Sequence, residues 1–426
     1  MAEYARFNPE HSPMDVRTKT RRTVAFFSMP EEGHFQRLLP LIAGLARLGF
    51  TSCVFTHSKF KPQVERAGGL FFDLFSRYPL ERADDESLPV PCRFVTFAGK
   101  YAGQILRDVE KIAPSLLIHD TFAVIGRVVA TQMGLPRVNV CAGHNVAPAR
   151  YLAALREDPR VKISAKCLEA VGVLQESFGL ADASPFSYVS SLSPDLNIYC
   201  EPPEFLEEEK RRAFEPLAFY GSLLPPEEEK NRRKRAKPWF RQAAASKLKV
   251  YVSFGTIVWR YYAADALRTL TTLTEAFAAI DHLCAVVSLG GASIDSRTMA
   301  GLSRPNVSVH SRVDQPEVLK EADVFVTHHG MNSTHEAIFY RVPMISYPFF
   351  WDQPELAEIC QNYGLAVPLA DSPRGEFSQD RVRAVLARLT EKRPSMQAAI
   401  SRARDWELAV IRNRPAVHQR IVSLIP

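Results

Sequence analysis

The sequence predicts an α/β protein made of two doubly wound parallel sheets, and three observations carry that expectation. Short apolar runs alternate with helical stretches in both halves, the pattern of parallel strands joined by crossover helices. A length of 426 residues exceeds one ordinary hydrophobic core and fits two domains. A polar, proline-marked stretch separates the halves: Pro202-Pro203, the charged run Glu207 to Arg212, Pro225-Pro226, and a Glu/Lys/Arg-rich segment that ends before Lys249.

In the first half, strands are expected near 23–27, 51–55, 70–74, 116–120, 137–141 and 195–200. In the second they fall near 249–253, 284–288, 307–310, 323–327 and 343–347. The reading is a flexible tail over 1–20, a Rossmann-like domain over 21–220, a linker over 221–247, a second Rossmann-like domain over 248–405 and a terminal helix over 406–426. Polar linkers carry few buried contacts, although Trp239 and Phe240 argue that this one packs somewhere.

Composition narrows the class. An apolar share of 46% with 23% charged residues is ordinary for a soluble globular protein. The formal charge of +6 is spread out, and its densest basic run, Asn231 to Arg235, follows Glu227-Glu228-Glu229. That run reads as a solvated linker, so no nucleic-acid partner is expected. The 7 cysteines lie far apart without a C-x-x-C pair, as in a cytoplasmic protein with reduced, buried thiols. Residues 1–20 hold no apolar signal core, and no long uncharged apolar stretch follows, so no membrane span is expected.

In a doubly wound sheet of order 3-2-1-4-5, ligands gather beyond the carboxyl ends of strands 1 and 4. Met29-Pro30-Glu31-Glu32-Gly33-His34 follows strand 1 and Asp120 ends strand 4, so His34 and Asp120 should be neighbours. The positive end of the helix that His34 opens disfavours the imidazolium. A neutral imidazole can accept a proton, and a carboxylate on its other nitrogen fixes the tautomer. Capping or packing is the alternative for a lone histidine there. His119 competes as a partner, but strand alternation turns it to the opposite face.

No G-x-G-x-x-G follows the first strand, and Ser288-Leu289-Gly290-Gly291 is too short to serve as one, so a nicotinamide-binding fingerprint is absent. Instead Val324 to Thr327 runs into His328-His329-Gly330-Met331-Asn332-Ser333 and a helical pattern. A strand that breaks at glycine and restarts as a helix aims backbone N–H groups and a positive dipole at one spot, which suits a diphosphate. Ser253, Gly255 and Thr256, after the first strand of the second half, flank the same crevice.

The run from Arg312 to Gly364 resembles the donor motif of the inverting glycosyltransferases of the UDP-glucuronosyl/UDP-glucosyltransferase superfamily (glycosyltransferase family 1), of the soluble bacterial macrolide glycosyltransferase type. The matching positions are Gln315, His328, Gly330, Asn332, Ser333, Glu336, Pro343, Pro348, Asp352, Gln353 and Gly364. The resemblance implies a GT-B architecture, with donor and acceptor meeting between the domains and a terminal helix crossing back onto the first. It implies that His328, Asn332 and Ser333 hold the diphosphate, Glu336 the ribose and Gln315 the nucleobase region, with Val313 also binding donor. The Glu32-Gly33-His34 context resembles the family's catalytic loop, and Ile118-His119-Asp120 the strand that carries its partner aspartate.

Asp352 and Gln353 can accept and donate hydrogen bonds to vicinal sugar hydroxyls, which favours a hydroxylated hexose, with UDP-glucose the expected donor. As an isolated dipeptide they are merely a helix start, and Ser333-Thr334-His335-Glu336 is also a capping box. The chain departs from the family where Arg312-Val313-Asp314-Gln315 replaces Trp-x-Pro-Gln, which leaves uridine against thymidine open, and where His329 replaces a small residue. Asp84-Asp85-Glu86 reads as an acidic loop and not a metal site, so neither metal nor cofactor is expected beyond the nucleotide-sugar co-substrate.

Residues 75–110 and 142–192 should line the acceptor pocket. Phe94, Phe97, Tyr101, Phe122, Tyr151, Phe178, Phe186 and Tyr188, with Trp351 from the second half, are the aromatic candidates. About half are expected at the acceptor and the rest in the core. The expected partners are a nucleotide sugar and a small-molecule alcohol, for a monomer or homodimer. The rivals are another GT-B enzyme, such as a nucleotide-sugar epimerase or an N-acetylglucosaminyltransferase, and a non-catalytic nucleotide-sugar-binding module.

Overall fold

The computed structural model describes residues 22–81, 92–143, 148–159, 161–222, 238–240 and 248–426. The tail over 1–20, the Asp84–Glu86 loop and the basic run at 231–235 lie outside them, as does most of the 221–247 linker.

Two parallel sheets organise the chain. The first holds β1 (Thr23–Phe27), β2 (Thr51–Thr56), β3 (Leu70–Asp73), β4 (Leu116–Asp120), β5 (Arg137–Cys141), β6 (Leu196–Tyr199) and β7 (Leu217–Phe219), in the order β3-β2-β1-β4-β5-β6-β7. The second holds β8 (Leu248–Ser253), β9 (Leu283–Ser288), β10 (Val307–His310), β11 (Val324–Thr327), β12 (Met344–Ser346) and β13 (Ala366–Pro368), in the order β10-β9-β8-β11-β12-β13. β7 and β13, the outermost strands on one side of each sheet, have no counterpart in the sequence reading. The central strands are near-continuous apolar runs because helices cover both faces; β1 (TVAFF) and β4 (LLIHD) are buried almost throughout.

Register fixes the functional loops. β1 pairs β4 with Phe27 opposite His119, so Met29 and Asp120 emerge together. β11 pairs β8 with Thr327 opposite Ser253, which sets His328 beside the loop after Ser253. One apolar cluster spans both halves and includes Phe26 and Leu38 from the first, Phe325 and Ile338 from the second, and Ile400 and Val417.

Those last two residues sit on the Gln379–Val422 helix, which carries the chain back to the first sheet. Arg414 Nε donates to the Tyr220 carbonyl at 2.8 Å, and the Tyr220 hydroxyl meets His418 Nε2 at 2.6 Å. Of the linker segment, Trp239 packs: its backbone N–H donates to Glu321 at 2.9 Å and its ring lies 5.3 Å from that of His310. All 7 cysteines are free and all but Cys284 are buried. No helix among the described residues is long and apolar enough to cross a membrane.

Candidate active site

The carboxyl ends of the two sheets enclose a cleft of about 1770 Å³. Pockets for a single drug-sized ligand run to about 1,000 Å³, so this one has room for two substrates.

His34 lies in the first turn of the Glu32–Arg47 helix, and its Nδ1–H donates to Asp120 Oδ1 at 3.2 Å. Asp120 is fully buried at the end of β4 and also accepts the N–H groups of Met29 (3.1 Å) and Phe122 (2.8 Å). With its carboxylate fixed by two backbone donors, Asp120 fixes the ring in turn, and the second ring nitrogen, Nε2, is left to face the cleft. Phe122 stacks on the imidazole at 3.8 Å and holds its plane. His119 turns to the other face, against Gly126, where burial pushes its pKa down to about 4.

Opposite this pair, the Met331–Tyr340 helix starts at Gly330 with no side-chain cap, so its first N–H groups point at the cleft unclaimed by a capping side chain. The capping-box alternative is not realised: Gln315 Nε2 donates to Ser333 Oγ at 3.1 Å and to Glu336 Oε2 at 2.8 Å, while Tyr251 donates to its Oε1. Gln315 thus braces the two side chains matched to diphosphate and ribose. His328 occupies a cradle that only glycine permits, since a Cβ on Gly255 or Gly330 would lie within 2.7 Å or 2.4 Å of its Nε2. Burial lowers its pKa to about 4, which favours the neutral ring. His329 is spoken for by Thr334 (3.2 Å) and Ser346 (2.8 Å), behind the loop.

The halves meet closely around the two loops. A Cβ on Gly33 would lie 3.4 Å from Asn332 Nδ2, and one on Gly143 would lie 3.2 Å from Asp352 Oδ2. Glu31 binds Arg93 of its own half at 2.8 Å and Arg260 of the other at 3.0 Å. Burial would raise its carboxyl pKa; the charge and hydrogen bond of Arg260, then Arg93 and His34, outweigh that and hold it below the ordinary value. Arg312 pairs with Glu32 at 2.7 Å, so its guanidinium is directed to the turn that carries His34. The sequence reading passed over both pairs; the consecutive acidic residues before His34 were the available sign.

Every donor-side candidate lines the cleft: Ser253, Gly255, Thr256, Val313, Gln315, His328, Gly330, Asn332, Ser333, Glu336, Asp352 and Gln353. Gln353 accepts the N–H groups of Phe349 and Phe350 through Oε1, which leaves its amide NH2 to donate. On the acceptor side Phe94, Phe122, Tyr151, Tyr188 and Trp351 line it. Phe97, Tyr101, Phe178 and Phe186 do not. They pack in the core of the first half, Phe97 against Phe75 and Tyr101 against Tyr78. Phe97 and Tyr101 share a helix face with Phe94, but Tyr101 sits about 10 Å farther along the axis. Among the described residues no His/Cys/Asp/Glu group is arranged to hold a metal ion.

Comparison with known proteins agrees with this geometry. Residues 227–399 match the family model described as UDP-glucoronosyl and UDP-glucosyl transferase. The chain is 23% identical to the NDP-glycosyltransferase YjiC of Bacillus licheniformis, covering 80% of this chain and 83% of that one. It is 26% identical to the oleandomycin glycosyltransferase of Streptomyces antibioticus, covering 82% and 79%. Among solved structures, the glycotransferase of kitacinnamycin superposes with a TM-score of 0.75 at 25% identity, over 95% of this chain and 99% of that one. The calicheamicin glycosyltransferase CalG4 does so with a TM-score of 0.69 at 20% identity, over 95% and 100%. Two Rossmann-like domains in the GT-B arrangement, with a domain over residues 227–399 similar to the UDP-glucuronosyl and UDP-glucosyl transferases and spanning the donor loops, make the chain a nucleotide-sugar-dependent glycosyltransferase.

Proposed function

We propose that the protein is an inverting, metal-independent hexosyltransferase that moves glucose from UDP-glucose onto a hydroxyl of a small, largely apolar natural product. The carrying observation is the His34–Asp120 pair, held by backbone donors and facing the uncapped donor helix across the cleft. His34 Nε2 takes the proton of the acceptor hydroxyl as its oxygen attacks the anomeric carbon, and Asp120 stabilises the imidazolium. The glycosidic bond to the diphosphate breaks on the opposite side. Helix N–H groups, Asn332, Ser333 and neutral His328 receive the developing charge. Asp352 and the Gln353 amide grip sugar hydroxyls.

The first half binds acceptor and the second binds donor. The names of relatives, oleandomycin glycosyltransferase among them, support a natural-product acceptor, and the free thiols suit a cytoplasmic enzyme. The test sets UDP-glucose against dTDP-glucose with a panel of aromatic and macrolide alcohols, reading product by mass spectrometry. His34→Ala should lose about a hundredfold or more in turnover while calorimetry shows UDP still bound. Unimpaired turnover in that variant rejects the mechanism.

A further inference from the structure

The cleft beside His34 carries polar atoms that the transfer chemistry leaves unused. Two rings stand edge-on to Phe122, the ring that stacks on the base: Tyr188 of the first half at 5.7 Å and Trp351 of the second at 6.4 Å. Both line the cleft. The Tyr188 hydroxyl and Trp351 Nε1 are buried, with no hydrogen-bond partner among the described residues, and Tyr188 as a whole is 1% exposed. Buried donors are paired in the great majority of native structures. Two orphans, each one ring away from the base, mark places for ligand atoms.

The backbone supports the same conclusion. Trp351 is held at φ 55°, a left-handed conformation that a bulky L side chain rarely adopts. Strain of that kind persists where surrounding structure over-determines it, and it clusters at functional sites. Here Phe350 at 4.8 Å and Tyr261 at 6.2 Å lodge the indole, and the turn brings it across to Phe122.

We infer that Tyr188 and Trp351 form a two-donor subsite for a carbonyl oxygen of the acceptor, whose class is then a planar hydroxyarene with a keto or quinone oxygen about one ring from the hydroxyl that receives sugar. The inference rests on the reading that acceptors bind against His34. An indole N–H can only donate, so its partner must bring a lone pair. Burial, with the neighbouring Tyr151 adding to it, raises the Tyr188 phenol well above its usual pKa, so it stays a neutral donor. A carbonyl oxygen offers two lone pairs and brings no proton that an aromatic wall would leave unpaired. Offset and edge-on packing against Phe94, Phe122 and Tyr151 suits a flat ring system.

The test compares 2-hydroxyanthraquinone with 2-hydroxyanthracene as acceptors for the full chain with UDP-glucose. The ratio of their kcat/KM values is read within each protein, so the different acidity of the two hydroxyls cancels when variants are compared. Tyr188→Phe and Trp351→Phe, which keep a ring in place, should each lower that ratio about tenfold. An unchanged ratio, with both acceptors slowed alike, rejects the subsite. So does a Trp351→Phe effect confined to the KM of UDP-glucose, which would give the N–H to the sugar. If wild type glycosylates neither compound, binding followed by the acceptors' own absorbance decides. Selective loss of the quinone in the variants upholds the subsite while the transferase reading fails, and no binding or equal binding rejects the subsite.

Discussion

His335 lies next to Glu336 on the donor helix and faces away from the cleft, where Nε2 meets Glu201 at 2.7 Å and Nδ1 meets Glu407. All three side chains are fully buried. Burial alone would lower the imidazole pKa, but Glu407 and Glu201 outweigh it and lift it from 6.5 to about 9. A pKa raised by folding stabilises the protein fully below 6.5, and the stabilisation is lost as pH rises through about 9. At about 1.4 kcal/mol per pH unit, that difference amounts to about 3 kcal/mol. The perturbation is His335→Gln, neutral at every pH, with thermal unfolding of both proteins followed at pH 7 and pH 10. Wild type should melt about 3 °C higher at pH 7, and the gap should close at pH 10. Groups common to both proteins, including nearby Arg37 and Arg414, cancel in the comparison. A gap of equal size at both pH values refutes the ionic account of this contact.

Asp120→Asn should lose rate and shift the pH–rate profile, since an amide cannot stabilise the imidazolium of His34; a wild-type profile in that variant counts against the dyad. Asp352→Ala and Gln353→Ala should weaken UDP-glucose more than UDP in calorimetry, and equal losses would move both residues off the sugar. Activity should persist in excess EDTA, and His328→Ala should lose both donor binding and turnover without rescue by magnesium. Recovery of an EDTA-treated enzyme by magnesium or manganese would reject this account of the leaving group.

The central strands and both loop pairs were legible because parallel strands buried on both faces are unbroken apolar runs, and because topology alone brings Asp120 to His34 and Ser253 to His328. β7 and β13 were not legible: each has three residues, and β13 ends in Pro368, which weakens any strand signal. Phe97 and Tyr101 fall in the half of the aromatic candidates that packs in the core, because composition alone does not report how far along a helix axis the cleft reaches. The ion pairs of Glu31, Glu32 and His335 join residues far apart in sequence, Glu31 and Arg260 by 229 positions, and no local pattern announces such a contact.

The long helix over Gln379–Val422 bears on how the protein comes apart. Its Arg414 holds the carbonyls of Tyr220 and Gly221, residues 194 and 193 positions earlier, and a Cβ on Gly44 would collide with its His418. The outer face of the first sheet is therefore finished by chain that has already built the second. Contacts of such separation close late and slowly. Neither half keeps its complete core when the other is lost, so denaturant should melt the two sheets in one transition, read alike by far-ultraviolet circular dichroism and by tryptophan fluorescence.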